Sequence, residues 1–441
     1  MAMLTWAHHA RGRHLARILR EGAHRVAVGT YRTARRTPMP RGIREGLRER
    51  LTWQPQLLVV PIDRLLLGGQ NKLSAADYAR ASGDLLWPSR RVTDGPHAEL
   101  LRVARMRPIT DVEILGSSYA DLARTCIDLS GQYFSAADNV GIVAVARDWL
   151  REVGIAPAGS GDGQRGDDHR TAAGRPIEVA PIRDSSCYQV IDGHHRIATA
   201  AAQGIDRIAV RVKRWSVDTP LQEMLRAMSW IGGEPLLYQP IEAPELDDWP
   251  IARGCVDRLE AMLALLPDAG LGAGAGSSYL DVASCYGWFV AQMEAHGFVA
   301  SGIERDPLAP EVGRVAYGLR PGQVRTGEAM ALLSETTQRW DVVSCFSLLH
   351  HFALGRGSTG PEELLQALDR VTARVLFVDT GQAHERWFAE SLASWDTDHV
   401  RRFLQEHTTF DRVVDLGPDQ DDRPPFDGNY GRHLFACVRE S

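Results

Sequence analysis

Two short runs of this sequence concentrate side chains that can do chemistry. The first is Asp192-Gly193-His194-His195-Arg196. It sets a carboxylate, two imidazoles and a guanidinium beside a glycine, where an extended stretch gives way to a helical one. The backbone N–H groups of such a helix start, together with Arg196, suit a phosphate. Asp192 can act there as acid or base, or simply cap the helix. The second run is Asp281-Val-Ala283-Ser-Cys285-Tyr-Gly287, whose small residues let a ligand approach the backbone just ahead of a helix.

Three signals follow that second run in order. Glu304 closes an apolar stretch, and a carboxylate so placed can take both hydroxyls of a ribose. Glu328 comes directly after Gly327, where a third strand should end. Phe346, His350 and His351 come at the end of a fourth. Either histidine is a candidate general base if it reaches the acceptor proton, and His384 with Glu385 forms a second candidate pair beyond a fifth strand. Tyr238 and Arg258, upstream of the series, can close over a ligand; packing and helix-surface charge explain them equally well.

These groups need elements to hold them. Strand character marks residues 57–62, 176–182, 187–191 and 207–212, and helical character marks 74–82, 97–104, 141–152 and 195–204. From Tyr279 onward, strands alternate with helices, which implies a mainly parallel sheet covered on both faces. Residues 255–266 read as an amphipathic helix ahead of it. Residues 157–174 are rich in Gly, Ala and charge with almost no apolar anchor, so a mobile loop is expected there.

With 441 residues, two or three units are expected at about 150 residues each. The divisions are a basic helical arm (1–55), a first compact unit (56–230) and a second (231–441). At 44% hydrophobic and 24% charged residues the chain is globular rather than disordered. No apolar run is long enough to span a bilayer and the N-terminus lacks a secretory pattern, so a cytoplasmic protein is expected. Six scattered cysteines, with no C-x-x-C pair and no zinc-ligand spacing, imply buried thiols and no metal. Residues 1–50 hold twelve arginines against three acids, in a chain of net charge −6. That arm can meet phosphates, nucleic acid or an anionic membrane surface, whereas the acidic remainder disfavours extensive nucleic-acid binding.

The ordered series from Asp281 to His351 resembles the class I S-adenosylmethionine (SAM)-dependent methyltransferases over about residues 235–441. The resemblance implies a Rossmann-like α/β fold, a seven-stranded mixed sheet flanked by helices, with SAM as cofactor. It assigns the turn Asp281, Ala283, Cys285 and Gly287 to the methionine moiety, Glu304 to the ribose and Glu328 to the adenine, with Phe346 lining the same pocket. Ala283 and Cys285 stand where that family usually has glycine. The run 176–212 resembles the ParB/sulfiredoxin-like superfamily, which implies an N-terminal α+β domain whose Asp192–Arg196 motif meets nucleotide or phosphate. No sulfiredoxin-like cysteine precedes the motif and no helix-turn-helix follows it, which disfavours sulfinic acid repair and partition-type DNA binding. The expected function is methylation of an oxygen or nitrogen of a small-molecule or glycan-type metabolite, with the first domain aiding substrate or nucleotide binding. The alternatives are a bifunctional methyltransferase and nucleotide-dependent kinase, and a non-enzymatic SAM- or nucleic-acid-binding regulator. A homodimer is compatible with each.

Overall fold

The computed structural model describes residues 56–70, 73–155, 176–228, 232–272 and 276–440. The basic arm and the expected mobile loop at 157–174 lie outside the described residues. Five strands make the first sheet: β1 (Gln56–Pro61), β2 (Leu65–Leu66), β3 (Ile177–Pro181), β4 (Tyr188–Asp192) and β5 (Arg207–Val212). Their order is β1-β5-β3-β4-β2, with antiparallel β1–β5 and β3–β4 pairs and parallel β5–β3 and β4–β2 pairs. Among the described residues, five α-helices lie between β2 and β3: α1 (Ala75–Ser82), α2 (Pro96–Met106), α3 (Asp111–Leu115), α4 (Ser118–Ser130) and α5 (Asn139–Glu152). Then α6 (His194–Ala202) joins β4 to β5, and α7 (Pro220–Ala227) follows β5.

Helix α4 has no counterpart among the helices expected from the sequence. Its buried face is Tyr119, Ala120, Leu122, Ala123 and Cys126, a stripe built largely of small residues. Its start is fixed by the Ser117 hydroxyl accepting the Ala120 N–H, a side-chain cap of the ordinary kind.

After α8 (Val256–Leu265) the second sheet begins with β6 (Ser278–Val282). Helix α9 (Trp288–Ala295), β7 (Val299–Glu304), α10 (Ala309–Tyr317), β8 (Val324–Thr326), α11 (Ala329–Glu335) and β9 (Trp340–Cys345) follow. The chain closes with α12 (Leu349–Ala353), α13 (Pro361–Val371), β10 (Thr372–Val378), α14 (Thr397–His407), β11 (Arg412–Pro418) and β12 (His433–Val438). The seven strands run β11-β12-β10-β9-β6-β7-β8; β8, β7, β6, β9 and β10 are mutually parallel, and β12 is antiparallel to both its neighbours. This is the mixed seven-stranded sheet that the resemblance implied.

Successive residues along these strands feed opposite cores, as the two-residue repeat of a strand requires. Leu280, Val282, Val343 and Leu376 pack into one, and Tyr279, Val342, Val375 and Phe377 into the other. The chain steps outward from β6 to β7 and β8, then returns to β9 on the other side of β6. The carboxyl ends of β6 and β9 therefore bound the crevice where ligands of open α/β sheets sit.

The two sheets are not separated by bare linker. One apolar cluster takes Leu221 and Leu225 from α7, Leu237, Leu246 and Trp249 from the connecting segment, and Cys285, Tyr286 and Val312 from the second unit. All six cysteines are buried and unpaired. Among the described residues no helix is long and apolar enough to cross a membrane.

Candidate functional site

The turn after β6 keeps a glycine-like backbone without the glycines. Ala283 has φ 64°, Cys285 φ 52° and Gly287 φ 82°. The first two occupy the left-handed region at about 1 kcal/mol each, so neighbouring contacts must hold them there. Those contacts are visible. Ser284 N–H donates to the Ile303 carbonyl at 2.9 Å, Gly287 N–H to the Ser284 carbonyl at 2.8 Å, and Cys285 N–H to Oε2 of Glu304 at 2.8 Å. Gly302, on β7, leaves room for this arrangement, since a Cβ there would meet Ser284 Oγ at 2.8 Å.

Glu304 is thus more than a strand-end acid. Its Oε1 accepts Arg305 N–H at 2.7 Å and Asp306 N–H at 2.8 Å, so three backbone donors fix the carboxylate between the ends of β6 and β7. Asp281 lies below it, 2% exposed, accepting from Ser344 Oγ at 2.6 Å; Ser344 Oγ in turn pairs with the Tyr279 hydroxyl at 2.5 Å. Burial pushes the Asp281 carboxyl up to about 7, and the charges of Glu304 and Asp379 push the same way. Glu328 caps α11, accepting Ala331 N–H at 2.8 Å, and also accepts from Ser358 Oγ at 3.3 Å. Phe346 packs its ring 4.8 Å from Phe289.

The three candidate bases differ in what their nitrogens are free to do. His350 is buried and its Nδ1 accepts the Gly381 N–H at 3.1 Å, which puts the ring proton of the neutral form on Nε2 and makes that nitrogen a donor. His351 lies against it with ring centroids 4.3 Å apart and the planes tilted by 37°, and stays half-buried. Burial, then Arg356, Arg432 and Arg305, lower its pKa and favour the neutral ring that a base requires. His384 is exposed and its Nε2 donates to the Tyr430 carbonyl at 2.7 Å, leaving Nδ1 as its lone-pair nitrogen. Glu385, offered as its partner, instead accepts a two-point contact from Arg432 at 2.8 Å on each oxygen.

That contact belongs to a buried charge lattice of which the sequence singles out only Arg258 and Glu385. Asp379, at the end of β10, takes Arg253 Nη2 and Arg258 Nε at 2.7 Å each on Oδ2, and the Ser347 N–H at 2.6 Å on Oδ1. Asp419 accepts Arg253 at 3.0 Å and Arg258 at 2.6 Å. Burial opposes ionising Asp379, but Arg253, Arg258 and Arg432 outweigh it and hold the carboxyl well below the usual range. Arg258 is therefore spent on protein carboxylates. Tyr238 lies alongside: its phenol interacts with Ser347, and burial raises its pKa. Two sequence signals point to the lattice, Asp379 closing the apolar run of β10 and the acids of 419–427, and neither reveals that Arg253 and Arg258 meet them.

At the first sheet, Asp192 is exposed and pairs with Arg196 at 2.8 Å. The residue that caps α6 is Gly193, with φ 119° and no side-chain cap bond. His194 is buried, accepts the Gly68 N–H at 2.9 Å on Nε2, and is lowered to about 4 by burial. His195 pairs with the Tyr119 hydroxyl at 3.0 Å amid His97, Trp149 and Phe134. Both imidazoles of the motif thus engage protein groups.

No family model matches this chain, and no curated protein does. Solved structures do. The bifunctional kinase-methyltransferase WbdD aligns with a TM-score of 0.39 and 19% identity over 49% of this chain, which spans 46% of WbdD. Magnesium protoporphyrin IX methyltransferase (ChlM) from Synechocystis PCC 6803, solved with SAM, aligns with a TM-score of 0.30 and 15% identity over 42% of this chain and 78% of that one. Its form with S-adenosylhomocysteine (SAH) gives a TM-score of 0.31 and 14% identity, covering 42% and 82%. These neighbours are methyltransferases.

Proposed function

We propose that the chain is a SAM-dependent methyltransferase acting on an oxygen or nitrogen of a small-molecule or glycan-type acceptor. The observation that carries this reading is the left-handed turn from Ala283 to Gly287, clamped by the same Glu304 carboxylate that closes β7. A strained turn with a fixed acid beside it, at the switch point of a parallel sheet, fits an adenosine with a charged amino-acid tail. Glu304 would hold the ribose, Glu328 the adenine edge, and the 283–287 backbone with Asp281 the methionine end. When bound, SAM supplies an electrophilic methyl group on a sulfonium. The chain's own part is to align the acceptor and remove its proton, for which His351, whose neutral ring is favoured, is the first choice among the three histidines and Nδ1 of His384 the second.

Calorimetry of the full chain with SAM and SAH tests this. Binding to the wild type, and its loss in a folded Glu304→Ala variant, is the expected result; no binding to folded wild type refutes the reading.

A second reading adds nucleotide chemistry at Asp192–Arg196, favoured by the start of α6, where no side chain caps the first turn. Incubating the full chain with ATP, ADP and CTP discriminates: neither binding nor turnover removes it.

A further inference from the structure

The segment that joins the two units, residues 236–258, lies against both. Toward the crevice, Gln239 Oε1 accepts the Trp288 N–H at the start of α9 at 3.3 Å, the Tyr238 N–H meets the Tyr286 hydroxyl at 3.4 Å, and Arg253 ties the end of β10. The segment is a strap folded on itself, with Leu237 N–H donating to Pro250 O at 2.9 Å and Ala252 N–H to Leu237 O at 2.8 Å.

Its middle is held by the first unit. Glu245, 0% exposed, accepts on Oε1 from the Ser89 hydroxyl and from the Thr219 hydroxyl at 2.9 Å. Trp249 Nε1 donates to the Asp184 carbonyl at 2.9 Å, with the Arg226 guanidinium 4.8 Å above its ring, and Ser186 N–H donates to Asp248 at 2.7 Å. A buried carboxyl is placed in such a junction at a solvation cost, so its two hydroxyl partners fix the strap in one position rather than merely adding stability. The same junction buries Cys285 and Tyr286, residues of the strained donor turn.

We infer that the first unit serves the methyl-donor site through this strap, with Glu245 as the positioning residue that seats Tyr238, Gln239 and Arg253 over the crevice. The inference rests on the methyltransferase reading. It gives the first unit a task independent of any nucleotide: without it, the strap loses its anchor and the donor turn loses its cover.

The test uses the full chain and SAH as probe, with two Glu245 variants and one control. Burial favours the protonated form of Glu245, so Glu245→Gln keeps the acceptor oxygen and the shape. It should bind SAH within about twofold of wild type, whereas Glu245→Ala should weaken binding about tenfold. Ile114→Ala, in the first unit's own core, should lower the unfolding midpoint and leave SAH affinity unchanged. Hydrogen exchange gives a readout that needs no ligand: the amides of Leu237, Ala252 and Arg253 should exchange faster in Glu245→Ala, with those of β10 and β12 unchanged. Wild-type affinity and protected strap amides in Glu245→Ala, or an equal loss of affinity in Ile114→Ala, overturns the inference. Absence of SAH binding by wild type refutes the donor reading instead, and the exchange data then decide the strap's anchoring on their own.

Discussion

Replacing Asp281 by Asn removes an ionisation from the buried floor of the crevice while keeping the shape and an oxygen to accept from Ser344. The folded carboxyl titrates at about 7, against about 3.9 in an unfolded chain. Folding therefore retains a proton that the unfolded chain has released. The stability linked to that proton is complete below about pH 4, declines between about 4 and 7, and is gone above 7. At pH 8 the wild type holds an unfavourable buried charge worth about 4 kcal/mol, and at pH 5 the same site costs roughly 1–2 kcal/mol. Asp281→Asn escapes both. Its stability gain over wild type should therefore grow by about 2–3 kcal/mol from pH 5 to pH 8, read from urea unfolding followed by tryptophan fluorescence. A constant gap between variant and wild type across that range refutes the reasoning. If the crevice takes the cationic SAM, binding favours the ionised carboxylate. Calorimetry near pH 6.5 in buffers of different ionisation enthalpy should then show proton release for the wild type and none for the variant.

Other parts of the structure yield sharper single tests. Ala283→Gly relieves a left-handed alanine and should raise unfolding stability by up to about 1 kcal/mol, whereas the β-branched Ala283→Val should lower it, both read by urea titration. Asp379→Asn leaves Arg253 and Arg258 facing a neutral amide and should cost about 3–5 kcal/mol, measured by the same unfolding titration. His194, lowered to about 4 by burial, resists a proton that the unfolded chain takes up near 6.5. Its share of stability should be lost as pH falls through that window, by about 3 kcal/mol at pH 4, and His194→Gln should flatten the acid limb. The NMR titration midpoint of His351 should fall below about 6.5, and a midpoint above it would remove His351 as the favoured base.

What could be read from the sequence follows from how local each signal is. Strands β6, β7, β9 and β10 were legible because burial on two faces forces near-continuous apolar runs, and Glu304 because an acid ending such a run is conspicuous. The Ala283–Cys285 turn shows the limit of that reasoning. Missing glycines left its shape open, yet the backbone enters the left-handed region regardless, because Ile303 O, Glu304 and the junction cluster hold it from outside the turn. The charge lattice was illegible for the same reason: Arg253 lies far along the chain from Asp379 and Asp419, and no periodicity links residues that meet only after the strap folds back. Arg258 illustrates the consequence. Read alone, its position before β6 suits ligand capture, but three buried carboxylates, Asp379, Asp419 and Asp421, already claim its guanidinium. The residues that set the geometry of this crevice are thus drawn from the strap and from the 419–432 connection as much as from the strand ends.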